Sequence, residues 1–436
     1  MAPKSRRQKQ ATNAIQCRWS KKEDAVINPI KPIKVNPKNF VMSTLLEGSN
    51  YSKHSIGAAV MGVKPIPKST FYYHQKKVLP VVFDISQENI DRNLQNAIAS
   101  HAPLDLSIDG RYSSARNGSQ MTLTAFDLKT GLVVAVENVI KSTRTRVGNY
   151  TGPSNMMESV GVERMAAKIR QKYGQDCIAS ITTDGDNKSQ IAAQKAGLNF
   201  ERNRDHNHGI KSMKKCLTKT ASDFKKENGG ANPFFGFQKK IINWADTIMY
   251  NVNEKQNRIE AWTNMPDHLI GKHDNCKHDK LPENHVDWER GKKDEKAYKC
   301  LQGFCQKTKD FIASCETSHT TQQNESLNAV ISTFAPKRIA LRASYVPRTL
   351  LACAKHNDPY IYLQILESLY CTDSIAPELL DYLFIKETER VEYNAERHSK
   401  ENRERKNSDR LKWRRNNKSQ PGDYDEIKND FNSMDN

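Results

Sequence analysis

Three acidic residues lie where local sequence patterns would bring their carboxylates together. Asp109 follows the alternating apolar residues of a predicted strand, Asp184 follows the apolar run 177–181, and Glu325 opens a predicted amphipathic helix. Two carboxylates on adjacent strands and a third on a helix can bind two hard cations, which then cut or join phosphodiesters. Each aspartate is also followed by glycine, which is a favourable turn dipeptide, so a role in turns is the alternative.

The elements that would position these carboxylates form a predicted mixed sheet between residues 103 and 206. The first and fourth strands are expected to be parallel, which places Asp109 and Asp184 at the same edge. The order β-β-β-α-β-α-β is that of the α/β ribonuclease H-like fold, here with a five-stranded mixed sheet. Period-two and apolar runs indicate strands at 104–112, 120–127, 132–140, 177–183 and 198–203, and helical spacing indicates helices at 156–173 and 189–196.

Glu325 follows Asp184 too far along the chain for a minimal domain, so a mainly helical insertion is expected between them. A small helical region is predicted before the sheet, either as a helix-turn-helix reader of DNA or as an ordinary cap on the next domain. Composition divides the chain into a disordered basic amino terminus, the small helical region, the first part of the core, the insertion, the carboxy-terminal core helices and a charged tail: 1–38, 39–100, 101–208, 209–318, 319–385 and 386–436.

The charge balance favours a polyanionic partner. Lys and Arg number 68 against 50 Asp and Glu, giving a formal net charge of +18. Such a field attracts nucleic acid, although a solvated charged surface is the alternative. No segment approaches the ~20 apolar residues of a membrane span, so no membrane association is expected. Basic clusters at 4–9 and 403–415 are either nuclear import signals or non-specific DNA arms, and the predicted location is the nucleus.

Several polar residues near the acids are candidates for supporting roles. His208, three residues after Asp205, is placed to hydrogen-bond a flanking phosphate or to steady a carboxylate, and a structural histidine is the alternative. Asn328 lies one turn after the glutamate on the same helix face, where it would orient that carboxylate or a water, or cap a polar surface. Arg111 and Arg116 would grip a nucleic-acid backbone or remain solvated loop arginines.

A further cluster of histidines and cysteines has a spacing that suits zinc. Imidazoles and thiolates at short separations fit a tetrahedral ion, and the scattered cysteines, nine in all, argue for reduced thiols rather than disulfides. No CxxC pair is present, and Cys216, His278 and His285 compete as ligands, so the ligand set stays open. The candidate ligands are His268, His273, Cys276, Cys300 and Cys305.

Motifs in a fixed order along the chain resemble Mutator-like and Kolobok-like DNA transposases. The resemblance runs from about residue 70 to about residue 357. The matching segments are Ser107-Ile-Asp-Gly-Arg, the "ME" helix at 155–163 with Glu158, Ile181-Thr-Thr-Asp-Gly-Asp-Asn, Asp205-His-Asn-His208, and Thr320-Thr-Gln-Gln-Asn-Glu-Ser followed by Ala335-Pro-Lys.

This resemblance implies a DDE triad of Asp109, Asp184 and Glu325 on a ribonuclease H-like core. It implies two Mg²⁺ or Mn²⁺ ions as cofactors and a histidine–cysteine run in the insertion. Glu158 lies on the helix that follows the third predicted strand, where it is expected to give structural support rather than to bind metal. The expected function is DNA strand cleavage and strand transfer at transposon ends, with double-stranded transposon-end and target DNA as partners and a homodimer or larger assembly on DNA. The alternatives are a domesticated DNA-binding descendant without catalysis and a zinc-stabilised protein-interaction module.

Overall fold

The structure is a computed structural model that divides the chain into two compact units, residues 1–78 and 79–436. The basic amino terminus before residue 33 and the tail after residue 405 lie outside the described residues, so the disorder predicted for this amino-terminal segment stays a prediction. The domain boundaries proposed from composition also stay predictions. The structure describes residues 33–114, 118–144, 147–184, 187–274, 287–316, 320–337, 339, 341–370, 377–399, 401–402 and 405.

The first unit contains α1 (Pro37–Leu46), α2 (Tyr51–Val60) and the beginning of α3 (Lys68–His101). Asn36 and Asn50 cap α1 and α2 by accepting backbone N–H bonds in their first turns. Phe40 and Phe71 are both buried and pack edge to face with ring centroids 6.3 Å apart. The helical region predicted from sequence is therefore present, but nothing in this unit decides between a DNA reader and a cap.

The sequence pattern predicts that the third helix of the small helical region covers residues 69–82, and this prediction was wrong. The helix α3 continues to His101, and Pro80 lies within it. Ile90 and Leu94 are buried in this extension, and Leu94 belongs to the core beneath the sheet. Tertiary packing of these apolar residues favours a helix that continues past Val82.

The second unit is built on a mixed sheet in the order β3-β2-β1-β4-β5-β6. β1 runs antiparallel to β2 and parallel to β4. The fifth strand begins three residues later than predicted, because the backbone N–H groups of Leu198 and Asn199 donate to the Ala193 and Gln175 carbonyls rather than to β4. A two-residue sixth strand is added. The elements are β1 (Leu104–Tyr112), β2 (Gln120–Asp127), β3 (Leu132–Ile140), α4 (Met157–Tyr173), β4 (Ile178–Thr183), α5 (Asn187–Lys195), β5 (Glu201–Asp205) and β6 (Cys315–Glu316).

Helices cover both faces of this sheet, as the α/β ribonuclease H-like fold requires. Leu104, Leu106 and Ile108 point to the face packed by α4, α5 and the end of α3. On α4, Gly161 allows close approach, since a Cβ there would lie 3.0 Å from the Met121 methyl group. The other face carries α11 (Gln322–Phe334) and α12 (Tyr345–Asn357), which are described with the site below.

The predicted helical insertion between β5 and β6 has its own hydrophobic core. Trp262 and Phe304 are buried there with ring centroids 5.9 Å apart, and the Trp262 indole N–H donates to Thr308 Oγ1 at 3.0 Å. The amphipathic helices pack their apolar faces around these rings. They are α6 (His206–Asn228), α7 (Gln238–Asn251), α8 (Lys255–Leu269), α9 (Glu289–Lys293) and α10 (Glu295–Ser314).

The carboxy-terminal helices α13 (Ile361–Leu369) and α14 (Pro377–His398) follow α12. An ion pair between Lys355 and Glu387, 2.6 Å long and largely buried, joins α12 to α14. Among the helices of the described residues, none has both the length and the apolar character to cross a membrane.

Candidate active site

The sheet register places Asp109 and Asp184 side by side. Ser107 on β1 is paired with Thr182 on the parallel strand β4, and each aspartate lies two residues beyond its paired residue. Because neighbouring parallel strands end at the same sheet edge, the two backbones present their carboxylates next to each other. The expected arrangement of these two residues is therefore what the backbone produces.

Helix α11 carries Glu325 in its first turn and is fixed to the sheet by Asn324. The side chain of Asn324 is fully buried. Ser107 Oγ donates to Asn324 Oδ1 at 2.6 Å, and Asn324 Nδ2 donates to the Thr124 carbonyl at 3.1 Å. Buried amide groups satisfied in this way hold one orientation strongly, since leaving them unpaired is costly. Asn324 thus sets the position of the neighbouring glutamate above β1 and β2.

The far end of α11 is held by Arg111, which corrects an expectation. Arg111 is 3% exposed. Its guanidinium donates to Ser332 Oγ at 3.0 Å and to the Ala335 carbonyl at 2.7 Å. The idea that Arg111 grips a nucleic-acid backbone was wrong, because its side chain is turned inward against α11. Burial lowers its pKa from the usual range, and Arg116 lies outside the described residues.

Asp205 joins the start of α6 to the start of α11. It is 1% exposed and is the N-cap of α6, where its Oδ1 accepts from the His208 N–H at 2.8 Å. Its Oδ2 accepts from the Thr321 N–H at 2.7 Å. One buried carboxylate therefore caps one helix and orients the other. Asp205 supports the site through position rather than through contact with a substrate.

His208 and Asn328 contact the carboxylates directly. His208 Nε2 lies 3.0 Å from Glu325 Oε1, and Asn328 Nδ2 donates to Asp109 Oδ2 at 2.7 Å. The other oxygen of Asp109 accepts from the Gly110 N–H at 2.8 Å. Two of the four supporting residues predicted from sequence are therefore in contact with two of the three acids.

The pKa of Asp109 responds to the charges of both other acids. Burial, followed by the negative charge of Asp184, raises the pKa of Asp109 from 3.8 to about 6. Glu325 adds to this rise, whereas the Gly110 hydrogen bond and the His208 charge oppose it. Like charges gathered in a partly buried place disfavour ionisation unless a cation is present. The donor set, three carboxylates with this mutual repulsion, fits a divalent metal.

Glu158 packs beside the aspartates and supports both strand ends. Its carboxyl group lies 3.1 to 3.2 Å from the position that a Cβ on Gly110 would occupy, and Ser189 Oγ donates to Glu158 Oε1 at 3.2 Å. Gly110 follows Asp109, and Ser189 is the third residue of α5, the helix after Asp184. This placement agrees with the structural role expected for Glu158.

The acids converge without forming a closed set of metal ligands. Within the described ranges, no three His, Cys, Asp or Glu side chains make a ready ligand cluster. Glu325 is turned to His208 and is 57% exposed, while both oxygens of Asp109 already accept hydrogen bonds. Glu325 Oε1 and both oxygens of Asp109 are therefore held by protein contacts.

A polar cleft opens beside Asp109 between β1 and α11. Asn328 lines it together with Ser114, Ser154, Asn155 and Lys337. Hydroxyl, amide and ammonium groups of this kind commonly bind nucleic-acid phosphates and sugars. Gly110 and Arg111, the two residues after Asp109, also line this cleft, so it lies next to the aspartate.

The candidate zinc ligands are only partly brought together. The rings of His268 and His273 have centroids 4.7 Å apart, and Cys276 lies outside the described residues. Cys300 and Cys305 lie on α10, about 140° apart around the helix axis, so they do not point to one place. Cys305 is 1% exposed, and burial raises the pKa of its thiol well above the usual range, which disfavours a metal-binding thiolate. The zinc site stays a prediction.

Ser107 and Asn324 are site residues that the sequence interpretation missed. Ser107 lies two residues before Asp109, and Asn324 directly precedes Glu325. Both polar side chains are 0% exposed. Strand alternation gave a usable signal, because Ser107 shares a face of β1 with Asp109. The buried amide of Asn324 had no comparable signal, since it becomes visible only when α11 is placed on the sheet.

A ribonuclease H-like sheet with two aspartates at adjacent strand ends and a glutamate on a covering helix defines the class of the protein. The family profile of the Mutator-like transposases matches residues 16–281, and the chain belongs to this family. Membership implies transposition chemistry, DNA binding and use of a divalent metal. The match ends before Glu325, so the assignment of Glu325 as the third acid depends on its position near His208 and Asp109. A comparison with curated proteins gave no match.

Proposed function

We propose that this protein is a DNA transposase that cleaves DNA strands at transposon ends and transfers them to target DNA. The observation that carries the proposal is the gathering of Asp109, Asp184 and Glu325, which are far apart in the chain. It is supported by the parallel register of β1 and β4, which brings the ends carrying Asp109 and Asp184 together. It is also supported by Asn328, one turn after Glu325 on α11, which donates to Asp109 Oδ2 at 2.7 Å. The raised pKa of Asp109 agrees with this arrangement. Such a group of carboxylates on this fold is suited to phosphodiester chemistry.

Each residue of the site has a proposed role. Asp109, Asp184 and Glu325 would hold two Mg²⁺ or Mn²⁺ ions, which when bound supply an activated nucleophile and a stabilised leaving oxygen. Asn328 keeps the Asp109 carboxylate oriented through its 2.7 Å hydrogen bond. His208 would keep the Glu325 carboxylate oriented through its 3.0 Å contact. The polar cleft beside Asp109 would receive the DNA strand that contains the scissile phosphate.

The experiment is cleavage of a labelled duplex that carries the terminal repeats flanking the coding gene. Wild-type protein should nick this duplex in Mg²⁺ and not in EDTA. Asp109→Ala should abolish nicking, because it removes the central carboxylate. Asp105→Asn is the matched control, since it lies on the same strand but accepts a hydrogen bond from Ser180 outside the site. Undiminished cutting by Asp109→Ala would refute the assignment.

The same experiment separates the two alternative functions. Salt-sensitive DNA binding without nicking in Mg²⁺ or Mn²⁺ would identify a domesticated DNA-binding descendant. DNA affinity that does not respond to salt would identify a protein-interaction module. A transposase must also hold two DNA ends together, so we propose a homodimer or larger assembly on DNA in the nucleus, which light scattering of the DNA complex would test.

A further inference from the structure

Helix α6 begins at the candidate active site and carries an unusual row of lysines along its outer face. Its buried residues, among them Met213, Leu217 and Phe224, define the face packed against the insertion core. At 100° per residue, the opposite face contains Lys211, Lys215, Lys219 and Lys226, all within about 60° of His208 around the axis. All four lysines are exposed. We call them the lysine row.

The lysine row starts next to the catalytic carboxylates. His208 lies on the same face of the helix, and its Nε2 contacts Glu325 at 3.0 Å. From His208 to Lys226 the helix rises about 27 Å at 1.5 Å per residue. One strand of duplex DNA advances about 3.4 Å per phosphate, so this length corresponds to about eight phosphates. The row therefore has the position and length to follow DNA as it leaves the site.

The charge of α6 has one sign over most of its length. Residues 206–222 contain four lysines and no acidic residue. Some lysines on other helices are paired with acids about one turn away, as in Lys299–Glu295 at 2.6 Å and Lys386–Glu389 at 2.7 Å. Within the described part of the chain, Lys211, Lys215 and Lys219 form no ion pair, whereas Lys226 at the far end of the row pairs with Asp223 at 3.8 Å. The three unpaired lysines follow each other at spacings of four residues, where like charges destabilise a helix by about 0.2–0.5 kcal/mol per pair.

An ordinary solvated helix face does not require this repulsion, because alternating acids and bases would serve solubility equally well. A polyanion lying along the row would relieve it. We propose that the lysine row is the surface along which the sugar-phosphate backbone of duplex DNA lies beside the catalytic carboxylates. This inference rests on the proposed function for the identity of the polyanion, and it assigns the DNA path to one face of one helix.

The test compares two double variants of the full chain. Lys215→Gln with Lys219→Gln removes two charges from the lysine row. Lys214→Gln with Lys225→Gln removes two exposed lysines from a face of the same helix about 110° away. Affinity for a labelled duplex of arbitrary sequence is measured in EDTA, where cleavage is absent, at several salt concentrations. Helix content by circular dichroism verifies that both variants fold.

The row variant should lower the slope of log affinity against log salt by about 1.8, since each lost phosphate contact contributes about 0.9. At about 0.15 M salt the same two contacts correspond to a roughly 30-fold loss of affinity. The other variant should change affinity less than about threefold. Equal changes in the two variants would overturn the inference and leave only an effect of net charge.

The outcome for the lysine row is separable from that for catalysis. If the row variant loses DNA affinity as expected but the wild type never nicks DNA, the proposed DNA path is supported and the proposed transposase activity is refuted. Nicking by the wild type with no loss of affinity in the row variant would overturn the DNA path and retain the activity. A wild type without affinity for duplex DNA at low salt would remove both.

Discussion

Replacing Asp109 with Asn should make the metal-free protein more stable above about pH 6. The pKa of Asp109 is raised from 3.8 to about 6, first by burial and then by Asp184. Two pKa units correspond to about 3 kcal/mol of unfavourable free energy for the ionised carboxylate at neutral pH. The neutral amide of asparagine removes this unfavourable free energy. The amide nitrogen cannot accept a hydrogen bond, so the variant loses one of the two bonds now donated by Gly110 and Asn328, which costs about 1–2 kcal/mol. The net gain is about 1–2 kcal/mol.

The stability difference between the wild type and the variant should change sign with pH. Between pH 4 and 6 the folded state holds the Asp109 proton while the unfolded state releases it, so wild-type stability falls as the pH rises through this window. Above about pH 6 the loss is complete. Below about pH 4 the carboxyl is neutral in both states, and the wild type should then be the more stable protein because it keeps both hydrogen bonds.

The assay is thermal unfolding of both proteins in EDTA from pH 4 to pH 8. The Asp109→Asn variant should melt a few degrees above the wild type at pH 8 and below it at pH 4. Adding Mg²⁺ should raise the melting temperature of the wild type more than that of the variant. Asp105→Asn is the control and should not be stabilised, since the asparagine Oδ1 still accepts from Ser180 as Asp105 does. A variant that is less stable than the wild type at pH 8 would refute the reasoning.

Three further predictions concern the surroundings of the triad. His208→Ala should lower the cleavage rate about 10- to 100-fold in a Mg²⁺ titration, because Glu325 loses the imidazole that contacts its Oε1; an unchanged titration would contradict this role. Asn324→Ala should destabilise the protein by about 2–4 kcal/mol in thermal melts, since buried partners on β1 and β2 become unsatisfied, and a loss below that would weaken the positioning argument. Cys305→Ala should leave any bound zinc in place by metal analysis, whereas His268→Ala should remove it.

The sheet was predictable from the sequence because its pattern is local. Residues 104–112 alternate between apolar and polar along β1, and the parallel pairing with β4 follows from the intervening helix. These two facts place Asp109 beside Asp184. The class of fold and the family were confirmed, and the strand bounds were correct for the first three strands.

Other parts of the site depend on contacts that no local pattern reports. The inward turn of Arg111 depends on α11 offering Ser332 and a carbonyl more than 200 residues later in the chain. The length of α3 depends on the sheet that buries Leu94. The contact between His208 and Glu325 depends on Asp205 holding the starts of two helices together. Tertiary packing decides each of these cases.

Asp109 differs from the other polar residues on its face of β1 because its neighbours are negatively charged. Asp105 is paired with Ser180, Ser107 with Asn324, and Arg111 with Ser332 and a carbonyl, so each has a neutral partner. Asp109 also has hydrogen bonds, but Asp184 and Glu325 add negative charge around it. A fold selected for stability alone would place a neutral residue there. A cation bound at this position would be attracted by the carboxylates that now repel one another, so the repulsion would contribute to its binding free energy. The Asp109→Asn variant measures the cost of the repulsion without metal, and the rise in melting temperature with Mg²⁺ measures the stabilisation by the bound ion.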